Sequence, residues 1–373
     1  MKKVLAWCKK EMVLTIAMVL AVISAFFVPP DKSYLSYIDF RTLAILFCLM
    51  AVMAGLQKSG VFRFVAEKLL QKVKHIRLTA FILVMLCFFS SMLITNDVAL
   101  ITFVPFTFIV LQMIGAQKLA VPVVVMQTIA ANLGSMLTPI GNPQNLYLYG
   151  KAQMGLGDFV LLMLPYTLVA FLLLGIWCLT FSYSGETRVS FVPQQTVSLS
   201  VQKKSIVIYS ILFVVSLLTV AHVIAYPVAL AVTLVAVLLL DRSVLKDVDY
   251  SLLLTFVGFF IFIGNMGRVP SFKELLSQVV SGNEVITSVI CSQFMSNVPA
   301  ALLLSGFTAR YDLLIIGTNL GGLGTIIASM ASLISFKYIG RDYKTQRGKY
   351  LLQFTLLNLL FLAVLLGAWL LLA

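Results

Sequence analysis

Charge is what this chain has least of. Asp, Glu, Lys and Arg make up 11% of its 373 residues, against the roughly one quarter that a soluble surface needs, while 61% are hydrophobic. A water-soluble globular fold is excluded, and the composition implies an all-α integral membrane protein. Histidine is nearly missing, with only His75 and His222. Both fall at expected membrane interfaces, His75 in a basic stretch and His222 at a helix end. The five cysteines, Cys8, Cys48, Cys87, Cys178 and Cys291, lack metal-ligand spacing, and most lie in apolar runs where a small hydrophobe packs well. HExxH, nucleophile-elbow, phosphate-loop and Cys/His-cluster patterns are also missing. An enzyme reading has no residues to stand on, and no cofactor is expected beyond a coupling Na⁺ or H⁺.

Acidic residues are scarcer than basic ones, 14 against 27, for a formal net charge of +13. In a soluble protein that excess suggests nucleic acid. Here the Lys and Arg residues fall in short loops between apolar runs, as the positive-inside rule demands, so the expected partner is lipid and not nucleic acid.

Nine spans can be drawn at about 12–29, 42–57, 119–149, 159–182, 205–222, 227–240, 252–268, 312–335 and 350–372. Two further apolar segments, 78–114 and 284–308, stand apart. The basic amino terminus, Met1 to Lys10, resembles a signal peptide without a small-residue cleavage site, so 12–29 reads as the first membrane helix. With the amino terminus cytoplasmic, Lys2, Lys3, Lys9, Lys10, Lys58, Arg63, Lys68, Lys72, Lys74, Arg77, Lys118, Arg188, Lys203, Lys204, Arg242, Lys246, Lys337, Arg341, Lys344, Arg347 and Lys349 all lie inside. Only Lys32, Arg41, Lys151, Arg268, Lys273 and Arg310 lie outside. The carboxyl terminus is then external, and a bacterial inner membrane is the expected location.

Polar interruptions come in pairs. Met92-Leu93-Ile94-Thr95-Asn96-Asp97-Val98 in the first half is echoed by Gln293-Phe294-Met295-Ser296-Asn297-Val298-Pro299 in the second. Each is followed by another break, Ala131-Asn132-Leu133-Gly134-Ser135 and Thr318-Asn319-Leu320-Gly321-Gly322. In 284–308 the interruption leaves arms of about 12 residues, or about 18 Å of helix, against about 30 Å of hydrocarbon. Neither arm can cross, which predicts a re-entrant hairpin with its tip buried in protein or facing a cavity. The arms of 78–114 are long enough to cross, so a re-entrant hairpin and two full spans both stand for that segment.

The pairing predicts inverted repeats. The first covers 1–182, with a hairpin at 78–114 and a broken helix at 119–149; the second covers 227–373, with a hairpin at 284–308 and a broken helix at 312–335. Residues 183–226 form a linker and connecting helix. The expected fold is an inverted-repeat secondary transporter with about nine transmembrane helices, two re-entrant hairpins and two broken helices.

Asp97 is the only acidic residue well inside an apolar segment, and a carboxylate at a bilayer centre costs about 2.5–3.5 kcal/mol on insertion scales. It reads as a coupling site for H⁺ or Na⁺, with capping of the following helix as the structural alternative. Two Pro and two Gly between Leu137 and Asn145 make an unbroken helix improbable there. The unwound stretch would offer carbonyls to a cation, and amides with positive helix ends to an anion. The candidate substrate residues are Asn96, Thr138, Gly141, Asn142, Gln144, Asn145, Ser296, Asn297, Thr318 and Asn319. The candidate coupling-ion or Na⁺ residues are Thr95, Asn96, Asp97, Asn132, Gly134, Ser296, Asn297, Asn319 and Gly321. Close packing through small residues accounts for Gly322, Gly324 and Ala328. No Lys or Arg lies in these segments, which favours cation-coupled transport of an anion, or a small or neutral substrate.

Thr95-Asn96-Asp97-Val98-Ala99, Leu137-Thr138-Pro139-Ile140-Gly141-Asn142-Pro143-Gln144-Asn145 and Ser296-Asn297-Val298-Pro299-Ala300 resemble the ion transporter superfamily. That group contains citrate transporter-like permeases, arsenite/antimonite efflux permeases, NhaD-type sodium/proton antiporters and divalent anion/sodium symporters. The resemblance implies a homodimer in which a scaffold holds a mobile transport domain, with hairpin tips and unwound helices carrying substrate and ions in an elevator movement. It would place Thr95, Asn96, Asp97, Asn132 and Gly134 in one half-site, and Ser296, Asn297, Thr318, Asn319 and Gly321 in the other. The dicarboxylate symporters carry Ser-Asn-Thr at both tips; this chain has Asp97 at one and Val298 at the other, closer to the arsenite permeases. The leading expectation is transport of an organic carboxylate or inorganic oxyanion. A monovalent cation/proton antiporter is the rival within the class, and an ion channel or non-transporting scaffold the rival outside it.

Overall fold

The computed structural model describes residues 11–70, 73, 75–180 and 199–372, with the side chains of the helix beginning at Leu199 described from residue 203. Lys2, Lys3, Cys8, Lys9, Lys10, Lys72, Lys74, Arg188 and most of the polar stretch from 182 to 204 lie outside these residues. The described chain is built of helices and their connections. In order these are α1 (Met12–Phe27), α2 (Ser33–Tyr37), α3 (Phe40–Lys58), α4 (Val61–Leu70), α5 (Ile76–Ile94), α6 (Asn96–Met113), α7 (Ala120–Gly134), α8 (Pro143–Ala152), α9 (Leu156–Thr180), α10 (Leu199–Val220), α11 (Tyr226–Leu240), α12 (Tyr250–Met266), α13 (Pro270–Val280), α14 (Glu284–Met295), α15 (Asn297–Leu304), α16 (Tyr311–Leu320), α17 (Met330–Asp342) and α18 (Arg347–Leu372).

Among the described residues seven helical stretches are long and apolar enough to cross a membrane: 40–58, 76–94, 96–113, 117–137, 156–180, 203–220 and 344–372. An eighth span arises if α12 and α13, bent by 107° at their junction, count as one. The spans drawn at 12–29 and 227–240 correspond to the shorter apolar helices α1 and α11, of 16 and 15 residues. α5 and α6, at 19 and 18 residues, each reach about 27 Å. The second broken helix runs on to Asp342 rather than stopping at 335. Lys337 ends the apolar run there, and beyond it the helix continues as a polar end on which Arg341 lies over the Tyr338 ring at 5.1 Å.

The helices pack as two sets of neighbours. α1 lies along α12, and α3 against α10 and α11. Glycines permit the close approaches. A Cβ on Gly258 would meet Ala17 at 3.0 Å, and one on Gly55 would strike the Tyr209 ring at 2.3 Å. Asn265 of α12 donates to Ser24 Oγ at 2.9 Å and Tyr34 Oη at 2.7 Å, which fixes that helix to α1 and α2. In the other set α5 and α6 pack on α7, α14 and α15 on α16, α8 on α16, and α17 on α6 and α7. α15 also touches α12, and α3 touches α8, so the two sets adjoin. Asp39 caps α3 at the amide of Thr42, 3.0 Å, and Asp249 caps α12 at Leu252, 2.9 Å. The two caps share backbone angles, φ −80° with ψ 84° and 83°.

Candidate functional site

The two tip residues adopt the same unusual backbone. Thr95 has φ 63° and ψ 149°, and Ser296 has φ 75° and ψ 155°. Both lie at the edge of a region that is essentially reserved for glycine and costs on the order of 1–3 kcal/mol. The conformation turns the chain within one residue, so a helix ends at Ile94 or Met295 and another begins at Asn96 or Asn297. The surroundings pay for that strain in matched fashion: Asn96 N–H donates to the Gly141 carbonyl at 3.2 Å, and Asn297 N–H to the Ala328 carbonyl at 3.0 Å. Gly141 and Ala328 each stand two residues before a further helix start, α8 at Pro143 and α17 at Met330.

Asn132 joins the two pairs of helix starts. Its Oδ1 accepts from Asn96 Nδ2 at 3.0 Å and from the Ser329 hydroxyl at 3.0 Å, while its Nδ2 lies 3.4 Å from Ser332 Oγ and 3.5 Å from the Gly322 carbonyl. Asn319, ten residues before Ser329 as Asn132 is before Asn142, donates to Asn145 Oδ1 at 2.7 Å and to the Ile315 carbonyl at 2.8 Å. Asn142 donates to Ser135 Oγ, and Asn145 to the carbonyls of Ser135 and Thr138. The Thr138 hydroxyl donates to the Met92 carbonyl beside the first tip.

Several polar atoms in these segments have no protein partner. Gln144 is fully buried, with both amide atoms unpaired. Asp97 is half-buried with Oδ1 enclosed and unpaired, and Asn319 Oδ1 is also unpaired. Each such atom costs about 1–3 kcal/mol unless a ligand or water meets it. Four helix N-termini, at Asn96, Pro143, Asn297 and Met330, bring their positive dipole ends to this region, and no Lys or Arg lies within 92–98, 131–145, 293–300 or 318–330. The arrangement can stabilise an anion by amides and helix ends, and a small cation at the Asp97 oxygen.

Not every residue singled out in the sequence offers a free group. Thr318 uses its hydroxyl on the Leu314 carbonyl of its own helix, 2.7 Å away. Gly134 and Gly321 serve close helix approach. A Cβ on Gly134 would lie 2.0 Å from the Phe88 carbonyl oxygen, and one on Gly321 2.7 Å from Ser292 Oγ. Gly141 is pressed similarly, 2.1 Å from the Ser135 carbonyl. The Ser296 hydroxyl reaches Asn297 Oδ1 and the Ala328 carbonyl only at 3.4 Å.

Sequence reasoning missed Ser329 and Ser332, although the ten-residue spacing from Asn319 to Ser329 repeats that from Asn132 to Asn142. It also gave no role to Gln293. That side chain binds the unwound stretch after α16 by donating to the carbonyls of Gly321 at 3.1 Å and Leu323 at 2.9 Å, and by accepting from Thr325 N–H at 2.8 Å.

An all-helical, multi-pass membrane protein whose interrupted helices share a buried polar centre has the architecture of a membrane transporter. Residues 4–312 match the citrate transporter family, and the chain belongs to that family. It is 31% identical over 324 residues to the inner membrane protein YbiR of Escherichia coli, covering 84% of each chain. It is 30% identical over 318 residues to an uncharacterized transporter of Methanocaldococcus jannaschii, covering 84% of this chain and 85% of that one. A shorter match, 32% over 136 residues, covers 36% of this chain and 27% of the silicon efflux transporter LSI3 of Oryza sativa subsp. japonica.

Proposed function

We propose that the protein is a secondary active transporter of a small anion, an organic carboxylate or inorganic oxyanion, coupled to H⁺ or Na⁺. The observation that carries this reading is the linkage of four helix N-termini through Asn132 and the two tip amides, in a region with unpaired buried amide groups and no side-chain cation. Amide N–H groups and helix ends hold a carboxylate or oxyanion without a fixed positive charge. An anion held this way gains from a co-bound cation, and Asp97 is the acid placed to take one. Asn96, Asn142, Gln144, Asn145, Asn297 and Asn319 are assigned to the substrate. Asp97, Thr95 and the neighbouring main-chain oxygens are assigned to the coupling ion.

The matched tips, breaks and Asp caps support two inverted repeats, 1–182 and 227–373. In this reading α1, α3, α10, α11 and α12 form a scaffold. The hairpins and broken helices form a domain that rises and falls past it, in a homodimer of the bacterial inner membrane with the amino terminus cytoplasmic and the carboxyl terminus external. The lack of a central cation and the silicon efflux relative favour a second reading, export of a small neutral hydroxylated molecule.

The test is uptake into proteoliposomes of citrate, four-carbon dicarboxylates, sulfate, phosphate, arsenite, antimonite and silicic acid, each with and without Na⁺ and with an imposed pH gradient. Uptake of one anion driven by a cation gradient is the expected result. Collapse of a pH gradient by Na⁺ or Li⁺ with no anion moving would replace this reading with cation/proton antiport, and silicic acid flux alone would establish the second reading.

A further inference from the structure

A cleft of about 450 Å³ lies away from the buried centre. It is lined by Arg41 at the start of α3, by Ala221 and His222 in the link from α10 to α11, by Tyr149 and Gly150 near the end of α8, and by Gln153 to Leu156 leading into α9. In the topology that the basic residues favour, all three links lie on the outer face. The lining contains one permanent cation and no carboxylate. Among the described residues no acid lies within ion-pair distance of the Arg41 guanidinium. Its one hydrogen bond is a long one, Nη2 to the Thr219 carbonyl at 3.5 Å, so most of its five N–H donors are free for a ligand.

Of the nearby acids, Asp39 is turned to its own helix start, accepting from the amide and hydroxyl of Thr42, and Asp158 stands at the cleft's edge, accepting at 3.1 Å from the amide of the lining residue Gly155. His222 lies beside the Tyr149 ring, 5.9 Å between centroids, in a left-handed conformation with φ 64°, and Gln153 is likewise left-handed with φ 50°. Partial burial and the Arg41 charge both lower the proton affinity of His222. Gln153 ends α8 in its left-handed conformation, and both residues line the cleft that holds the Arg41 guanidinium.

We propose that this cleft binds a small anion bearing carboxylate or oxyanion groups, with Arg41 as the bidentate charge partner and His222 and Gln153 as hydrogen-bonding groups, and that it is an outer station on the transport path. The placement on that path rests on the function proposed above; the binding itself does not. Arg is suited to the role because its planar fork matches both anion types. The cleft also lies between α3 and α10 on one side and the α8–α9 link on the other. An anion there would touch both sets of helices before entering the centre.

The test is thiol labelling of Gln153→Cys in intact cells with membrane-impermeant methanethiosulfonates, one anionic and one cationic, after subtraction of the parent chain's labelling. The anionic reagent should react about tenfold faster than the cationic one, relative to a free thiol. Citrate and sulfate should slow both saturably. Adding Arg41→Gln should return the rate ratio to that of a free thiol and abolish protection, while Arg41→Lys should keep the ratio. Asn297→Ala, which damages the central site, should leave protection intact. An unchanged ratio in Arg41→Gln overturns the proposal, as does protection lost in Asn297→Ala. Labelling only from the cytoplasmic side overturns the outer placement. In detergent, protection by phosphatidylglycerol but not by citrate or sulfate would make the occupant a lipid headgroup and overturn a transported anion. Labelling needs no transport, so failure of uptake by the parent chain is read separately.

Discussion

The Ser329 hydroxyl donates to Oδ1 of Asn132 at 3.0 Å, although the two residues are 197 positions apart and belong to different halves of the chain. That bond, with the one Asn132 accepts from Asn96, ties a helix end of the first half to the start of α17 in the second.

Asn132→Ala should therefore damage both halves at once. It orphans the Asn96 amide and the Ser329 hydroxyl, at about 1–3 kcal/mol each by soluble-protein values and nearer 0.6 kcal/mol each in membrane interiors. Uptake should fall more than about tenfold, the equivalent of 1.4 kcal/mol, and the unfolding midpoint in detergent should drop. Normal uptake by a folded Asn132→Ala protein would remove this residue from the centre.

Gly134→Ala and Gly321→Ala should differ in severity. The first would push a methyl to 2.0 Å from a backbone carbonyl, that of Phe88, which cannot rotate away. Overpacking of this kind costs about 1–3 kcal/mol. The second meets Ser292 Oγ at 2.7 Å, which a second change, Ser292→Ala, removes, and the Gly317 carbonyl and Ser292 Cβ at 2.9 Å, which stay, so the pair should recover only part of the loss. Melting curves of the two single variants and of the Ser292→Ala/Gly321→Ala pair decide this. Equal destabilisation, or no rescue in the pair, would show that the close approaches are wrongly assigned.

Thr95→Gly should be no less stable than the parent. Relief of about 1–3 kcal/mol of backbone strain outweighs the 0.4–1 kcal/mol of added unfolded-chain entropy. Thr95→Val keeps the strain and loses the hydroxyl, so it should be the less stable of the two. The order of their midpoints is the measurement, and a reversed order would mean that the tip is unstrained.

Asp97→Asn should leave the protein folded while abolishing its dependence on pH or on Na⁺. The readout is the ratio of uptake with and without the imposed gradient, compared with the parent. Coupling that survives the substitution would move the cation site elsewhere.

On the loop side, Asp31 bonds Arg268 at 2.8 Å. That hydrogen bond, with those from Ser33, holds its carboxyl below the ordinary carboxylate range. A depressed folded value contributes stability that is present above the unfolded value near 4 and lost as pH falls through the folded one. Asp31→Asn should thus melt slightly below the parent at neutral pH and converge with it in acid. A gap that persists at pH 2 would assign the difference to packing instead.

The helices and their interruptions were legible because composition and periodicity report directly on lipid exposure and on helix breaking. Thr95-Asn96-Asp97 and Ser296-Asn297 stand out as polar residues in apolar runs, and Pro139, Gly141 and Pro143 cannot continue a helix. The docking of tips onto breaks was not legible. It depends on main-chain carbonyls, those of Gly141 and Ala328, which no residue type announces. Ser329, Ser332 and Gln293 escaped notice because a serine or glutamine near a helix end is common; only the register between α7 and α17 brings the two serines to the centre, and only the packing of α14 on α16 brings Gln293 to the stretch beyond it.

The 107° bend between α12 and α13 has a mechanical meaning. α13, with 11 residues, is a stiff rod of about 16 Å set crosswise to the helix before it. The second hairpin hangs from its far end through Ser281, Gly282 and Asn283. Pivoting of that rod by about 30° at Gly267 and Arg268 would carry the hairpin's attachment point about 8 Å. Gly282 at the other end already has φ 79°, a conformation open to glycine and strained for other residues. Were the hairpin to move as proposed, the joint at Gly282, where an added Cβ would meet nothing within 4 Å, would resist turning least, and α13 would act as the stiff arm.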